Sequence, residues 1–247
     1  MDSNTVVGCG TLSRKICRVI IQSVFCLLLL SGCTSSSTVA APEKSDEAMI
    51  VKLPEAKIKG NISLEETLYK RRSVRDFTSE PLSLEAVSQL LWAAQGITSD
   101  WGGRTAPSAG GLYPLEIYLV AGNVSQLAPG IYKYIPQSHE LRKVKEGDVR
   151  KQLAGAALGQ SCVQDGAINI VIAAVYARVT PRYSERALRY VHMEAGHAAQ
   201  NVYLQANALN LGTVAVGAFI DAEVKKTIAM PENEAPLYLL PVGHPQN

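Results

Sequence analysis

Beyond residue 33 the chain has a single cysteine. Cys9, Cys17, Cys26 and Cys33 all come early, and Cys162 stands alone in the remainder. Once an early segment is removed, no intramolecular disulfide is available. An excess of one charge is missing too. Three of the 24 basic residues and one of the 22 acidic ones lie within residues 1–32, so the rest holds 21 of each. A neutral body carries no electrostatic footprint for nucleic acid. Long apolar runs are also lacking: the best, residues 19–30, falls short of the roughly 20 residues a spanning helix needs. No internal repeat is present. There is no Gly-x-Ser-x-Gly elbow, and Ser108 has neither His nor Asp nearby in sequence, which sets a serine hydrolase aside. Zinc-binding helical histidines sit four apart, whereas His192 and His197 are five apart with Glu194 between them. That spacing spreads them around a helix, and no metal is expected.

Arg14, Lys15 and Arg18 precede the apolar run, and the run ends in Leu30, Ser31, Gly32 and Cys33. A basic start, a short apolar stretch and small residues before a cysteine resemble a bacterial lipoprotein signal. The resemblance implies removal of residues 1–32, lipid on Cys33, and an exported protein anchored at the cell membrane or outer membrane. An uncleaved membrane anchor is the alternative. Residues 33–56, rich in Ser, Ala, Pro and charge, read as a tether. Residues 57–247 then suit one folded domain.

Within that domain, Ser63 followed by Glu66 makes a capping box that opens a helix stopping near Arg72. A second helix follows Ser83, with Leu84, Val87, Leu90, Leu91 and Ala94 on one face and Gly96 as its left-handed stop. Residues 116–120, 130–134, 141–144, 168–175, 213–219 and 237–242 read as strands. Residues 184–209 carry Ala187, Val191, Ala195, Ala198 and Val202 at helical spacing, a small-residue face suited to the core or to a subunit contact. Asp221 reads as the cap of a short helix. Helices and strands mix without regular alternation, so the pattern predicts an α+β domain with helices around a mainly antiparallel sheet.

Two segments carry chemistry. Arg71, Arg72, Ser73 and Arg75 place three guanidiniums and a hydroxyl within five residues, enough to surround a phosphate with partly bidentate hydrogen bonds. A solvated basic helix end is the plainer alternative. Pro107, Ser108, Ala109, Gly110, Gly111, Leu112, Tyr113 and Pro114 form a loop whose glycines let backbone approach a flat ring, or simply a turn. With Glu194 to Asn201 and Gly212 to Phe219, these motifs resemble the nitroreductase family, nearest its SagB-type dehydrogenase branch, over residues 64–243.

That resemblance implies a nitroreductase-like fold, a homodimer and an FMN cofactor. On it, Arg71, Arg72, Ser73 and Arg75 would bind the phosphate and ribityl chain, and Pro107, Ser108, Ala109 and Gly111 would lie along the ring. Backbone donors at Val216 and Gly217 would face its redox-active edge, and His244 would stand where relatives place a basic residue near the phosphate. Arg182 and Tyr183 match a Lys-Tyr pair proposed to move protons in azoline-oxidising relatives. Arg stays protonated, so Tyr183 is the catalytic candidate. Cys162 reads as a small buried apolar residue. The expected activity is a membrane-tethered FMN oxidoreductase acting on a small organic substrate. A non-catalytic lipoprotein binding flavin or another planar ligand competes with it, motivated by Gly111, Arg182 and His244, where this chain departs from its relatives.

Overall fold

The computed structural model describes residues 49–246. The expected signal, Cys33 and most of the tether lie outside them. Seven strands form one sheet: β1 (Ile50–Lys52), β2 (Leu115–Ala121), β3 (Gly130–Ile135), β4 (Glu140–Glu146), β5 (Ile168–Ala174), β6 (Gly212–Thr213) and β7 (Ala235–Gly243). Their order is β1-β4-β3-β2-β5-β7-β6, and every ladder is antiparallel. Seven α-helices accompany them: α1 (Leu64–Lys70), α2 (Leu84–Gln95), α3 (Arg150–Ala156), α4 (Ser161–Asp165), α5 (Thr180–Tyr183), α6 (Arg186–Ala208) and α7 (Asp221–Thr227). The fold is α+β, with helices around an antiparallel sheet, as the element pattern predicts.

Strand β5 shows why the sheet is sandwiched. All seven of its residues are buried, and the two-residue strand period divides them between separate cores. Ile168, Ile170 and Ile172 join α2 and α6 through Leu90, Leu91, Val191 and Val202. Val171 and Ala173 join α3, α4 and α7 through Leu153, Val163 and Val224. Each fully buried isoleucine or leucine contributes roughly 1.5–3 kcal/mol relative to exposure. The small-residue face of α6 belongs to the first core, which decides between the two roles its sequence allowed.

Helix starts follow their caps: Ser63 Oγ accepts from the Glu66 N–H at 3.1 Å, and Ser83 Oγ accepts from the Ala86 N–H at 3.1 Å. Several expectations shift. Gly96 ends α2 with φ −62° and ψ 145°, extended and not left-handed, because the chain runs on toward the bridge between Ile97 and Arg104. Asp221 is the first residue of α7, whose N-cap is Ile220 without a side-chain bond. The strand expected over residues 213–219 pairs only at β6 and again at Val216. Val214 and Val216 are buried as a strand would bury them, but the Ala215 N–H between them donates to the Tyr203 hydroxyl at 2.8 Å. Strand β1 falls inside the stretch expected to be tether. It is held by β4 and by buried Leu53. The Pro54 carbonyl accepts from the Ser88 hydroxyl. Among the described residues no helix is long and apolar enough to cross a membrane.

Candidate functional site

Helix α6 runs 23 residues and organises both chemistry-bearing segments. Its buried face fixes its rotation, so side chains just off that face are presented to neighbouring loops at set heights. Tyr203 meets the first segment. Its hydroxyl lies 3.1 Å from Ser73 Oγ and accepts the Ala215 N–H, while the Arg71 guanidinium stands 5.2 Å from its ring centroid. One phenol therefore joins the arginine-rich end of α1 to the segment after β6. The Val74 N–H donates to the Thr213 carbonyl at 2.9 Å. A Cβ on Gly212 would lie 2.6 Å from Val74 Cγ1, so this approach needs glycine there.

The four expected phosphate ligands do not behave alike. Arg71 and Ser73 share Tyr203, and Arg75 is exposed two residues further along the same extended segment. Arg72 turns back, its Nη1 donating to the Tyr69 and Arg71 carbonyls. It closes the end of α1 where the helix leaves carbonyls without partners. The His244 carbonyl accepts from the Thr78 N–H at 2.9 Å, and its ring Nε2 lies 3.8 Å from Glu80 Oε1. The structure thus gives His244 an acidic neighbour. Of the two backbone donors expected to face a cofactor, Val216 is committed: its N–H donates to the Leu239 carbonyl at 2.8 Å. Gly217 is exposed, and its N–H has no protein acceptor among the described residues.

The second segment contains a 3₁₀ turn at Ala109–Gly111, with Gly110 at φ 64° and Gly111 at φ 65°. Left-handed backbone at two successive positions is what glycine permits cheaply. A Cβ on Gly110 would lie 2.7 Å from the Tyr183 hydroxyl and 2.9 Å from Arg182 Nη1, whereas one on Gly111 would meet nothing within 4 Å. Arg182 also donates to the Gly110 carbonyl at 3.3 Å. Helix α5 therefore brings Arg182 and Tyr183 against one side of the loop and leaves Gly111 open. Tyr183 itself packs edge-on to Tyr190 at 5.0 Å between centroids. Pro107 is exposed and Ala109 half-buried beside this turn.

Beneath the loop lies a residue whose sequence context offered a rejected metal reading and a place in the α6 motif, but no role of its own. Glu194 is 3 % exposed. Its Oε2 accepts from the Ser108 hydroxyl at 2.6 Å, and Ser108 Oγ in turn accepts the Tyr113 N–H at 2.9 Å. Ser108 is thereby turned inward, and its side chain is occupied. Burial pushes the Glu194 carboxyl up to about 7, against the opposing pull of the Ser108 bond and of Arg104. Its Oε1 has no protein partner, and neither has the buried Arg104 Nε. Seven residues along α6, two turns away, Asn201 donates to the Thr105 carbonyl at 3.2 Å. His192 faces elsewhere, its Nε2 lying 2.8 Å from the Tyr176 hydroxyl.

Arg104 lies over the Tyr113 ring at 4.6 Å. With Tyr113, Glu116, Tyr134, Gln137 and Arg178 it lines a cavity of about 410 Å³ next to the loop. Arg178 is paired with Glu116 there. The donor set suits a phosphate-tailed planar cofactor: cationic side chains and a hydroxyl at the end of α1, a free N–H at Gly217, and an open left-handed glycine at Gly111. Tyr203, Glu194 and Asn201 were not legible as site residues, because each acts through a contact distant in sequence. Their only signal was placement on or beside the Glu-Ala-Gly-His-Ala-Ala-Gln-Asn motif.

The sequence model of the nitroreductase family matches residues 68–244. The chain belongs to the nitroreductase family. Within it, a Methanocaldococcus jannaschii protein named as a nitroreductase is 47 % identical over 197 residues, covering 80 % of this chain and 97 % of that protein. The NADPH-flavin oxidoreductase of Vibrio harveyi is 26 % identical over 189 residues, covering 73 % of this chain and 65 % of that one. The crystal structure of a protein from Anabaena variabilis, also named as a nitroreductase, superimposes with a TM-score of 0.72 at 31 % identity. It covers 81 % of this chain, which spans 42 % of the Anabaena protein.

Proposed function

We propose that this nitroreductase-family chain is an FMN-dependent oxidoreductase of the SagB-type dehydrogenase kind that exchanges electron pairs with a small organic substrate. The observation that carries this reading is the convergence on Tyr203 of Arg71, Ser73 and the segment leading to Gly217. Bound FMN would supply two-electron chemistry that no side chain of this chain offers. Arg71, Ser73 and Arg75 bind its phosphate end, with Arg72 supporting the helix terminus behind them. Gly111 and the backbone around Ala109 give the ring a close surface. Gly217 donates its free N–H. Tyr183, in reach of Gly110, is the hydroxyl that would move a proton at the loop, and Arg182 donates to the Gly110 carbonyl.

In this reading the protein works as a homodimer, exported and held at a membrane by lipid on Cys33. Exposed Leu64, Leu68 and Tyr69 on α1 supply apolar surface for a subunit contact. The basic start, the apolar residues 19–30 and the small residues before Cys33 support export. Nicotinamide cofactors should be scarce outside the cytoplasm, so oxidation of an organic donor with quinone or oxygen as final acceptor suits that location.

The test is spectral. The full-length chain, purified in detergent, should be yellow or become so with added FMN, and dithionite should bleach it. A chain carrying Arg71→Ala and Arg75→Ala should bind FMN roughly ten-fold or more weakly per arginine, as expected for charge-assisted hydrogen bonds of about 1.5–3 kcal/mol each. Colourless protein that rejects FMN, or unchanged affinity in the double variant, overturns the proposal. Mass spectrometry of the N-terminal peptide tests the lipid on Cys33.

A further inference from the structure

We propose that Glu194 is a proton-linked positioning residue for residues 108–113, gaining or losing its proton at the unpartnered Oε1 while Oε2 holds Ser108 in place. The inference rests on the FMN reading only insofar as that loop supports the cofactor.

Glu194 grips the start of the loop from below, while Arg178 Nη1 donates to the Tyr113 carbonyl at its end at 3.0 Å. Its Oε2 takes the Ser108 hydroxyl at 2.6 Å, and the same Ser108 oxygen takes the Tyr113 N–H at 2.9 Å. Those two bonds span the turn that carries Gly110 and Gly111, so whatever strengthens the Glu194 contact steadies both glycines. Asn201 holds Thr105, at the entry to the segment, and Arg182 holds Gly110 from outside. The Asn201 amide has no ionisable proton, whereas Glu194 is a carboxyl buried with one oxygen unsatisfied, and burial pushes it up to about 7.

The charged and titratable groups around it act in different directions. Arg104, from the segment entering the loop, favours the carboxylate. Glu116 on β2 and Arg178 beyond β5 act on Arg104 and set its field at one remove. Tyr113 stacks on Arg104, Tyr183 on α5 lies above Gly110, and Tyr190 and His197 flank Glu194 on α6 about one turn away. Burial opposes the pull of Arg104 and of the Ser108 bond by favouring the neutral acid. Below the transition Ser108 donates to a neutral carboxyl. Above it the acceptor is an anion, and a hydrogen bond to an ionised group is roughly twice as strong. Because the Ser108 bond by itself lowers the carboxyl's pKa, an opening that breaks this bond while Glu194 stays buried is opposed more strongly as pH rises through neutrality, whereas global unfolding, which exposes the carboxyl, is opposed less.

Two measurements on the full-length chain read this. The first is amide exchange of the Tyr113 N–H, expressed as a protection factor from pH 5.5 to 8.5, which needs no flavin. Protection should rise roughly five-fold across neutrality in the wild type, as expected from doubling a hydrogen bond of about 1 kcal/mol. It should stay flat in Glu194→Gln, whose amide oxygen still accepts from Ser108 but cannot ionise. The second is FMN affinity by fluorescence quenching over the same range. The wild-type to Glu194→Gln affinity ratio should rise by a similar factor. The FMN phosphate's own titration near pH 6 is common to both chains and cancels in that ratio. A flat wild-type protection profile, or the same slope in Glu194→Gln, overturns the inference even if FMN binds well. A rising profile in a chain that refuses FMN upholds the proton-linked loop and removes the cofactor reading instead.

Discussion

Replacing Glu194 with Gln should change how stability depends on pH, by an amount the structure sets. In the unfolded chain this carboxyl titrates near its ordinary 4.5, and in the fold burial carries it to about 7. A raised acid pKa means the native state holds a proton that the unfolded state has already released. Its contribution is therefore fully present below 4.5 and is lost as pH rises through 7. A separation of about 2.5 pH units, at 1.36 kcal/mol each, corresponds to about 3 kcal/mol. That is a large share of the roughly 5–15 kcal/mol that holds an ordinary domain together. Gln keeps the shape and the Ser108 contact but contributes no such slope. Urea unfolding followed by circular dichroism, for both chains at steps from pH 4.5 to 8.5, isolates the group because every other titration is shared. The stability of Glu194→Gln relative to wild type should rise by about 3 kcal/mol across the window. A difference constant within about 0.5 kcal/mol would refute the buried, proton-holding carboxyl.

Other perturbations probe the same architecture. Gly110→Ala forces a side chain into φ 64° and into the Tyr183 hydroxyl; it should cost at least about 1 kcal/mol in thermal unfolding and displace α5, seen as changed fluorescence of Tyr183 and Tyr190. Tyr203→Phe strips the hydroxyl that serves Ser73 and the Ala215 N–H. It should lower stability by about 1–3 kcal/mol and weaken FMN binding together, and normal affinity in a folded variant would remove Tyr203 from the site. His139 joins Tyr134 at 2.8 Å and Ser88 at 2.7 Å to the Pro54 carbonyl. His139→Ala should therefore loosen β1 first, giving faster proteolysis near Lys52 while the far side of the sheet stays protected.

Much of the fold was legible because local signals agreed with the tertiary outcome. Ser63 and Ser83 capped the helices they were expected to cap, and residues 168–174, apolar except for Asn169, read as a buried strand and are one, covered on both faces. Short elements without such signals were not legible. Strand β1 is three residues long and exists because β4 offers an edge. Helices α3 and α4 have no side-chain cap. Over residues 213–219 the alternation was right, but one phenol from α6 took the N–H at Ala215.

The candidate site divides along the same line. Residue type and order determined by themselves that guanidiniums cluster at the end of α1, that a double glycine follows after α2, and that Arg182 precedes Tyr183, since these are covalent facts of the chain. Only the tertiary structure decided that Arg72 and Val216 are engaged elsewhere, that Ser108 turns inward, and that Glu194 and Tyr203 hold the two segments. Hydrogen-bond partners and burial depend on which distant backbone passes within about 3 Å, and spacing along one strand of sequence carries no such distance.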